Sequence, residues 1–271
     1  MIKARKRNIP IAVALFFALS LPPLVSVSSV AGEDTGDLMT RALRLREDDR
    51  QDEALKLFET ILQEEPDNYQ ALLNAGFIHF RQGWLYSDKD GEKDHYFKML
   101  EYANRAVDQH PMEYEAKLIH LVARAKTAGY LSPGSQVRIA RDLRQELEAL
   151  MAYRKNDPNL IYMLSWLNFK VGRVGSVEKL LASILFGGLP DNLTTGNAIE
   201  LMQQAIELRP DYSIYYFDLG LFQQRLGQLE EARSLFEKVL SMAPGKSEEV
   251  VYRQRAEERL KDLERQKGAS N

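Results

Sequence analysis

Five prolines cut this chain into segments of similar design. Pro66, Pro111, Pro158, Pro210 and Pro244 close the phrases "ILQEEPDNY", "AVDQHPMEY", "AYRKNDPNL", "AIELRPDYS" and "VLSMAPGKS". Proline lacks an amide hydrogen and its ring clashes with the preceding turn, so a helix that runs into one stops. The interval from Pro210 to Pro244 is the shortest of the four, and the one from Pro158 to Pro210 the longest. A chain punctuated in this way folds as repeated helix pairs. One pair cannot bury its apolar face alone, so the pairs must stack to make a core.

The residues between the prolines repeat as well. In residues 213–246, Tyr216, Leu219 and Gly220 hold first-helix positions, and Ala232, Phe236 and Pro244 hold second-helix positions. In 35–68 the same slots hold Leu38, Ala42, Leu45, Ala54, Phe58 and Pro66. In 69–113 they hold Leu72, Ala75, Gly76, Ala103, Ala106 and Pro111. Two antiparallel helices approach closely only where small residues meet, which pairs Gly220 with Ala232; larger residues one turn away fill the space between repeats. The pattern resembles the tetratricopeptide signature W-x₂-L-G-x₂-Y…A-x₃-F…P, with Gln223 in place of its last first-helix aromatic. The interval from Pro210 to Pro244 equals that family's period, and the three earlier intervals exceed it, which leaves room for insertions. The resemblance implies an all-α fold, a right-handed tetratricopeptide-type helical solenoid with inserted loops and one extra helix. The repeats are read as 35–68, 69–113, 114–160, 161–212 and 213–246, with a capping helix over 247–266. The third is degenerate in its small-residue slots. The capping helix is charged along one side, with Val250, Val251, Leu260 and Leu263 for the other.

Positions 1–31 stand outside the repeats. Lys3, Arg5, Lys6 and Arg7 precede an apolar run from Ile9 to Val25, and Ser29-Val30-Ala31 places small residues at a cleavage site. This reads as a secretory signal peptide cut after Ala31, giving a periplasmic or secreted protein with no stable membrane insertion afterwards. The leader carries four basic and no acidic side chains, so a formal net charge of −3 becomes −7 (−3 minus 4) once it is removed. That balance disfavours a nucleic-acid partner, which needs a basic stripe. The chain has no cysteine, which excludes disulfides, thiolate metal sites and acylation at a lipoprotein cysteine.

The most apolar stretch after the leader is "SVEKLLASILFGGLPDN". Val177, Leu180, Leu181, Ile184 and Leu185 fall at i, i+3, i+4, i+7 and i+8, one stripe of an amphipathic helix. Ser176 can cap its start and Gly187-Gly188 can end it. From 177 to 186 it spans about 15 Å, too short to cross a bilayer. It is expected to be an extra helix packed on the solenoid. The surrounding sequence resembles the regulator of microtubule dynamics family and its bacterial relatives. The resemblance rests on Trp166, on Glu178, Lys179, Ala182, Phe186 and Gly187, and on Ala198, Ala205 and Pro210. Met163-Leu164-Ser165-Trp166 departs from the Gly-Arg-Trp frequent in those relatives. Eukaryotic members are associated with microtubules and mitochondria. For a secreted chain the resemblance implies architecture and a scaffold character rather than a partner.

Signals for chemistry are sparse. None of His79, His95, His110 and His120 lies at i+3 or i+4 of another, so no helix carries a two-histidine metal site. "SDKDGEKD" at 87–94 resembles a fragment of a calcium loop lacking its first and later ligands, and reads as a solvated connection. "PGKS" at 244–247 lacks the first glycine of a phosphate loop. No cofactor is implied and no catalytic residue stands out, so the protein reads as a non-enzymatic scaffold. Its expected partner is a protein or peptide bound on a concave face lined by the first helix of each repeat. The residues assigned to that face are Gln70, Leu73, Phe77, Phe80 and Arg81, and Ile214, Phe217, Leu221, Gln224 and Arg225. Exposed aromatics beside arginines suit peptide recognition. The alternative is a periplasmic accessory component of a solute transporter, with a small-molecule-linked role.

Overall fold

A computed structural model describes residues 34–85, 88–243 and 247–269; the leader, Ser87 and Pro244 lie outside the described residues. Among them the secondary structure is twelve α-helices and one short 3-10 turn, with no strand. The helices are α1 (Thr35–Glu47), α2 (Gln51–Glu64), α3 (Tyr69–Leu85), α4 (Lys89–Gln109), α5 (Tyr114–Thr127) and α6 (Pro133–Tyr153), then α7 (Pro158–Gly172), α8 (Ser176–Phe186), α9 (Thr195–Leu208), α10 (Ser213–Leu226), α11 (Leu229–Ser241) and α12 (Ser247–Ala269). No helix is long and apolar enough to cross a membrane, among the described residues.

The chain divides into two compact units, Met1–Ile139 and Ala140–Asn271. In the first, α1 packs on α2, α2 on α3, α3 on α4 and α4 on α5, and α3 also meets α5. In the second, α7 packs on α9, α9 on α10 and α10 on α11, while α12 packs on both α10 and α11. The small residues read as helix-crossing slots are sealed: Ala42, Ala54, Ala75, Ala103, Ala106, Ala198, Ala205 and Ala232 have no exposed surface. Around them sit the large apolar side chains, Phe58 and Ile61 in the first unit and Trp166, Phe169, Phe222 and Phe236 in the second. A methyl group at the crossings lets backbones approach, and the adjacent rings fill the rest at crystal-like density.

Gly220 departs from the expected pairing. A Cβ built on it would lie 2.7 Å from Cε1 and 3.0 Å from Cδ1 of the Phe236 ring. The neighbour of Gly220 is therefore Phe236, one turn beyond Ala232. The buried side of α12 is Tyr252, Ala256 and Leu263, whereas Val250 is 53% exposed. Its apolar contact with α10 runs through Tyr252, whose ring stands 5.7 Å from that of Phe217.

The acidic segment before α4 is not a free connection. Asp88 is the helix cap, accepting a hydrogen bond from the Gly91 amide at 2.7 Å, and Asp90 and Glu92 lie in the first helical turn. Carboxylates there meet the unpaired amides and positive end of the helix dipole, which is reason enough for their presence.

The apolar stretch forms α8, with Gly175 rather than Ser176 at its N-cap and Gly187 left-handed at its end (φ 78°). Its orientation overturns the expected packing. Val177, Leu180, Leu181, Ile184 and Leu185 are 50–68% exposed, and only Ala182 is buried. The small alanine is the side chain that faces the protein, so the apolar stripe points away. The segment after α8 is held by its backbone: Arg141 donates to the Gly187 carbonyl at 3.1 Å, and Arg144 donates to the Asp191 carbonyl.

Candidate functional site

The C-terminal ends of α7 and α10 share an aromatic cluster. Phe169 and Phe222 are stacked, with centroids 3.8 Å apart and planes 4° apart. Trp166 meets Phe222 edge-on at 4.8 Å and Phe169 edge-on at 6.2 Å. All three rings are fully buried. Helical spacing then places cations on this platform. Lys170, four residues after Trp166, has its ammonium 5.4 Å from that ring's centroid. Arg173, four residues after Phe169, has its guanidinium 5.5 Å from that ring's centroid. Such pairs combine stem packing with attraction to the ring face. Arg225 sits one turn beyond Phe222, in the last turn of α10.

Beneath the platform lies a carboxylate. Asp218 has no exposed surface; its Oδ2 accepts from the Trp166 indole nitrogen at 2.9 Å and from the Tyr162 hydroxyl. Two donors from α7 to one acceptor on α10 tie the two helices in a fixed register, since a buried charge without such partners is costly. Lys170 is half-buried, and its ammonium is pushed down to about 7. Desolvation is the largest cause, followed by the positive charges of Arg225 and Arg173, with Asp218 opposing them. Two arginines and a lysine that is only partly protonated at neutral pH thus face one carboxylate that is already engaged.

The residues assigned from sequence to a binding face divide sharply. Leu73, Phe77, Phe80, Ile214 and Phe217 are at most 7% exposed and belong to the core. Phe217 lies against Phe236 and Tyr252, because α12 folds over that side of α10. Phe80 lies beneath the Lys126 ammonium, 5.3 Å from its ring centroid, and Phe77 stands against Phe80. These side chains are not the exposed aromatics expected. Gln70 and Arg81 are half-buried, and Arg81 is bound to Asp49 at 2.9 Å. Leu221 and Gln224 are half-exposed and Arg225 exposed, beside the cations just described.

Sequence spacing also missed a histidine pair. His79 on α3 and His95 on α4 are 16 residues apart, yet their Nδ1 atoms lie 2.9 Å apart. One must donate and the other accept, so the accepting ring is unprotonated at that nitrogen. His79 is held well down, to about 4, by burial first and then by His95. Among the described residues no group of three or more His, Cys, Asp and Glu could hold a metal ion.

Antiparallel helix pairs with alanines at their crossings define a tetratricopeptide-type helical-repeat protein. The family model for regulator of microtubule dynamics protein 1-3 matches residues 38–264, and the chain belongs to that family. Among solved structures it is similar to TTC0263, a thermophilic tetratricopeptide protein of Thermus thermophilus. The TM-score is 0.60 at 18% identity, covering 83% of this chain and 98% of that one. It is also similar to MamA of Desulfovibrio magneticus, with a TM-score of 0.48 at 17% identity, covering 78% of this chain and 96% of that one. A comparison with curated proteins returned no match.

Proposed function

We propose that this protein is an exported, non-enzymatic scaffold that binds an acidic protein or peptide segment on the first-helix face of its last two repeats. The observation that carries the reading is the charge surplus at the ends of α7 and α10. Lys170 and Arg173 lie over buried rings, Arg225 stands one turn beyond Phe222, and Asp218 is occupied by Tyr162 and Trp166. A carboxylate-bearing segment supplies the missing negative charge, and half-exposed Leu221 and Gln224 offer it an apolar and an amide contact. Recognition by arginine and lysine clusters on a rigid helical frame is an established mode of acidic-motif binding.

The test is binding of acidic and charge-neutral peptide pools to the purified protein and to an Arg173→Glu/Arg225→Glu variant. Both arginines are exposed, so the variant keeps its fold, as circular dichroism checks. Acidic peptides are expected to bind in a salt-sensitive manner and to lose at least about tenfold in affinity to the variant. Equal binding of both pools, or an unaffected variant, overturns the reading. Export is supported by the basic start, apolar run and Ser29-Val30-Ala31, and places the protein in the periplasm or outside the cell. N-terminal sequencing of the exported protein is expected to begin near Gly32; an intact Met1 refutes it.

A further inference from the structure

The exposed stripe of α8 has no role in the cationic face just described. Of the twelve exposed large hydrophobic side chains among the described residues, six lie on this one eleven-residue helix. Scattered apolar residues on a surface need no explanation, whereas a contiguous patch marks an interaction site.

The form of the patch indicates what covers it. Val177, Leu181 and Leu185 make one ridge at i, i+4 and i+8, and Leu180 and Ile184 make a second beside it. Ridges at this spacing interdigitate with identical ridges on another helix, the commonest helix-packing class. The stripe is therefore complementary to itself. Its five side chains expose an area on the order of 600 Å² per copy, so two copies would remove at most about 1,200 Å², the lower end of what a stable interface needs. A membrane surface fits less well. Interfacial helices carry a cationic polar face, while α8 has one Lys179 balanced by one Glu178.

We propose that α8 is the dimerisation element of this protein, pairing with α8 of a second copy about a two-fold axis through Leu181 and Ile184. Arg141 and Arg144 hold the following segment by its carbonyls, so the helix is presented from a fixed base. Ala182, the one buried residue of α8, stays with its own chain. Each copy keeps its own cationic face, so the dimer stands whether or not that face binds acidic segments.

The test uses the purified protein in light scattering coupled to size exclusion. The expected result is twice the chain mass, falling to a single chain mass in a Leu181→Glu/Ile184→Glu variant with unchanged circular dichroism. Because the chain has no cysteine, single Leu181→Cys and Ile184→Cys variants are clean probes. They are expected to form disulfide-linked dimers on oxidation, while Met112→Cys, at an 83% exposed position on another helix boundary, does not. A wild-type monomer at about 100 μM, a Kd far weaker than stable assembly allows, overturns the proposal. A dimer that survives both glutamates, or equal cross-linking at Met112, also overturns it. So does a monomer that sediments with vesicles through α8, or one in which the N-terminal leader of the same chain shields the α8 cysteine.

Discussion

Substituting Gly220 by alanine sets two physical effects against each other. Alanine in a helix interior is favoured over glycine by about 1 kcal/mol. The new methyl, however, meets the Phe236 ring at 2.7, 3.0 and 3.1 Å from three of its atoms. That ring has no exposed surface and is backed by Phe217, so it cannot swing aside without disturbing a second buried ring. Overpacking of this kind costs about 1–3 kcal/mol, and after the helix-propensity gain the net expectation is a loss of up to about 2 kcal/mol. In a chain of this size that lowers the melting midpoint by up to roughly 8 °C. Gly76→Ala is the control. Its methyl meets only the terminal Cδ1 of Ile119 closely, at 2.9 Å, and a rotamer adjustment relieves that contact. Thermal melts followed by circular dichroism should rank wild type and Gly76→Ala above Gly220→Ala, and Gly220→Ala above Gly220→Leu. Adding Phe236→Leu to Gly220→Ala should recover part of the difference, because the clash is specific to the ring. A Gly220→Ala protein that melts above wild type, or a clash that Phe236→Leu does not relieve at all, refutes the reasoning.

Phe217→Ala is expected to cost about 3–5 kcal/mol, because it empties a site enclosed by Phe236 and Tyr252; a chemical denaturation midpoint close to wild type would return Phe217 to the surface. The His79 ring, at about 4 in the fold against about 6.5 when unfolded, gives stability present above pH 6.5 and lost as pH falls toward 4, since the unfolded chain takes up a proton that the folded site refuses. That contribution is on the order of 3 kcal/mol, and His79→Phe should narrow the stability difference between pH 7.5 and pH 4.5; an unchanged difference contradicts it.

Helix pairing was legible because the signals are local and absolute. A proline is barred from a helix interior, though Pro158 opens α7 in its first turn rather than closing α6, and an alanine at a crossing allows the backbones to approach. Direction was not legible. The spacing of Val177, Leu180, Leu181, Ile184 and Leu185 specifies a stripe, but a stripe is equally regular whether it faces the protein or solvent. What decides here is Ala182, a small residue on the opposite side that allows close approach. Slot numbering placed Phe217 on a binding face because it considers one repeat and its successor. It does not foresee that α12 returns to cover α10 through Tyr252. The cationic cluster had a readable trace in the aromatic–cation pairs Trp166/Lys170 and Phe169/Arg173, each four residues apart. The junction of His79 with His95, and of Asp218 with Tyr162 and Trp166, depends on tertiary contact between separate helices and leaves no local periodicity.

The arginines that hold the segment after α8 bond to main-chain carbonyls, those of Gly187 and Asp191. A carbonyl is supplied by every amino acid, so this attachment is indifferent to which side chains the segment carries. Gly187 and Gly188 are constrained by their positive φ angles of 78° and 84°, but Leu189, Asp191 and the outward positions of α8 are not bound by the attachment. Selection can therefore rewrite the outward surface of α8 without loosening its hold on the rest of the chain. One stable frame can in this way acquire a new contact preference by a few substitutions, each nearly silent in stability.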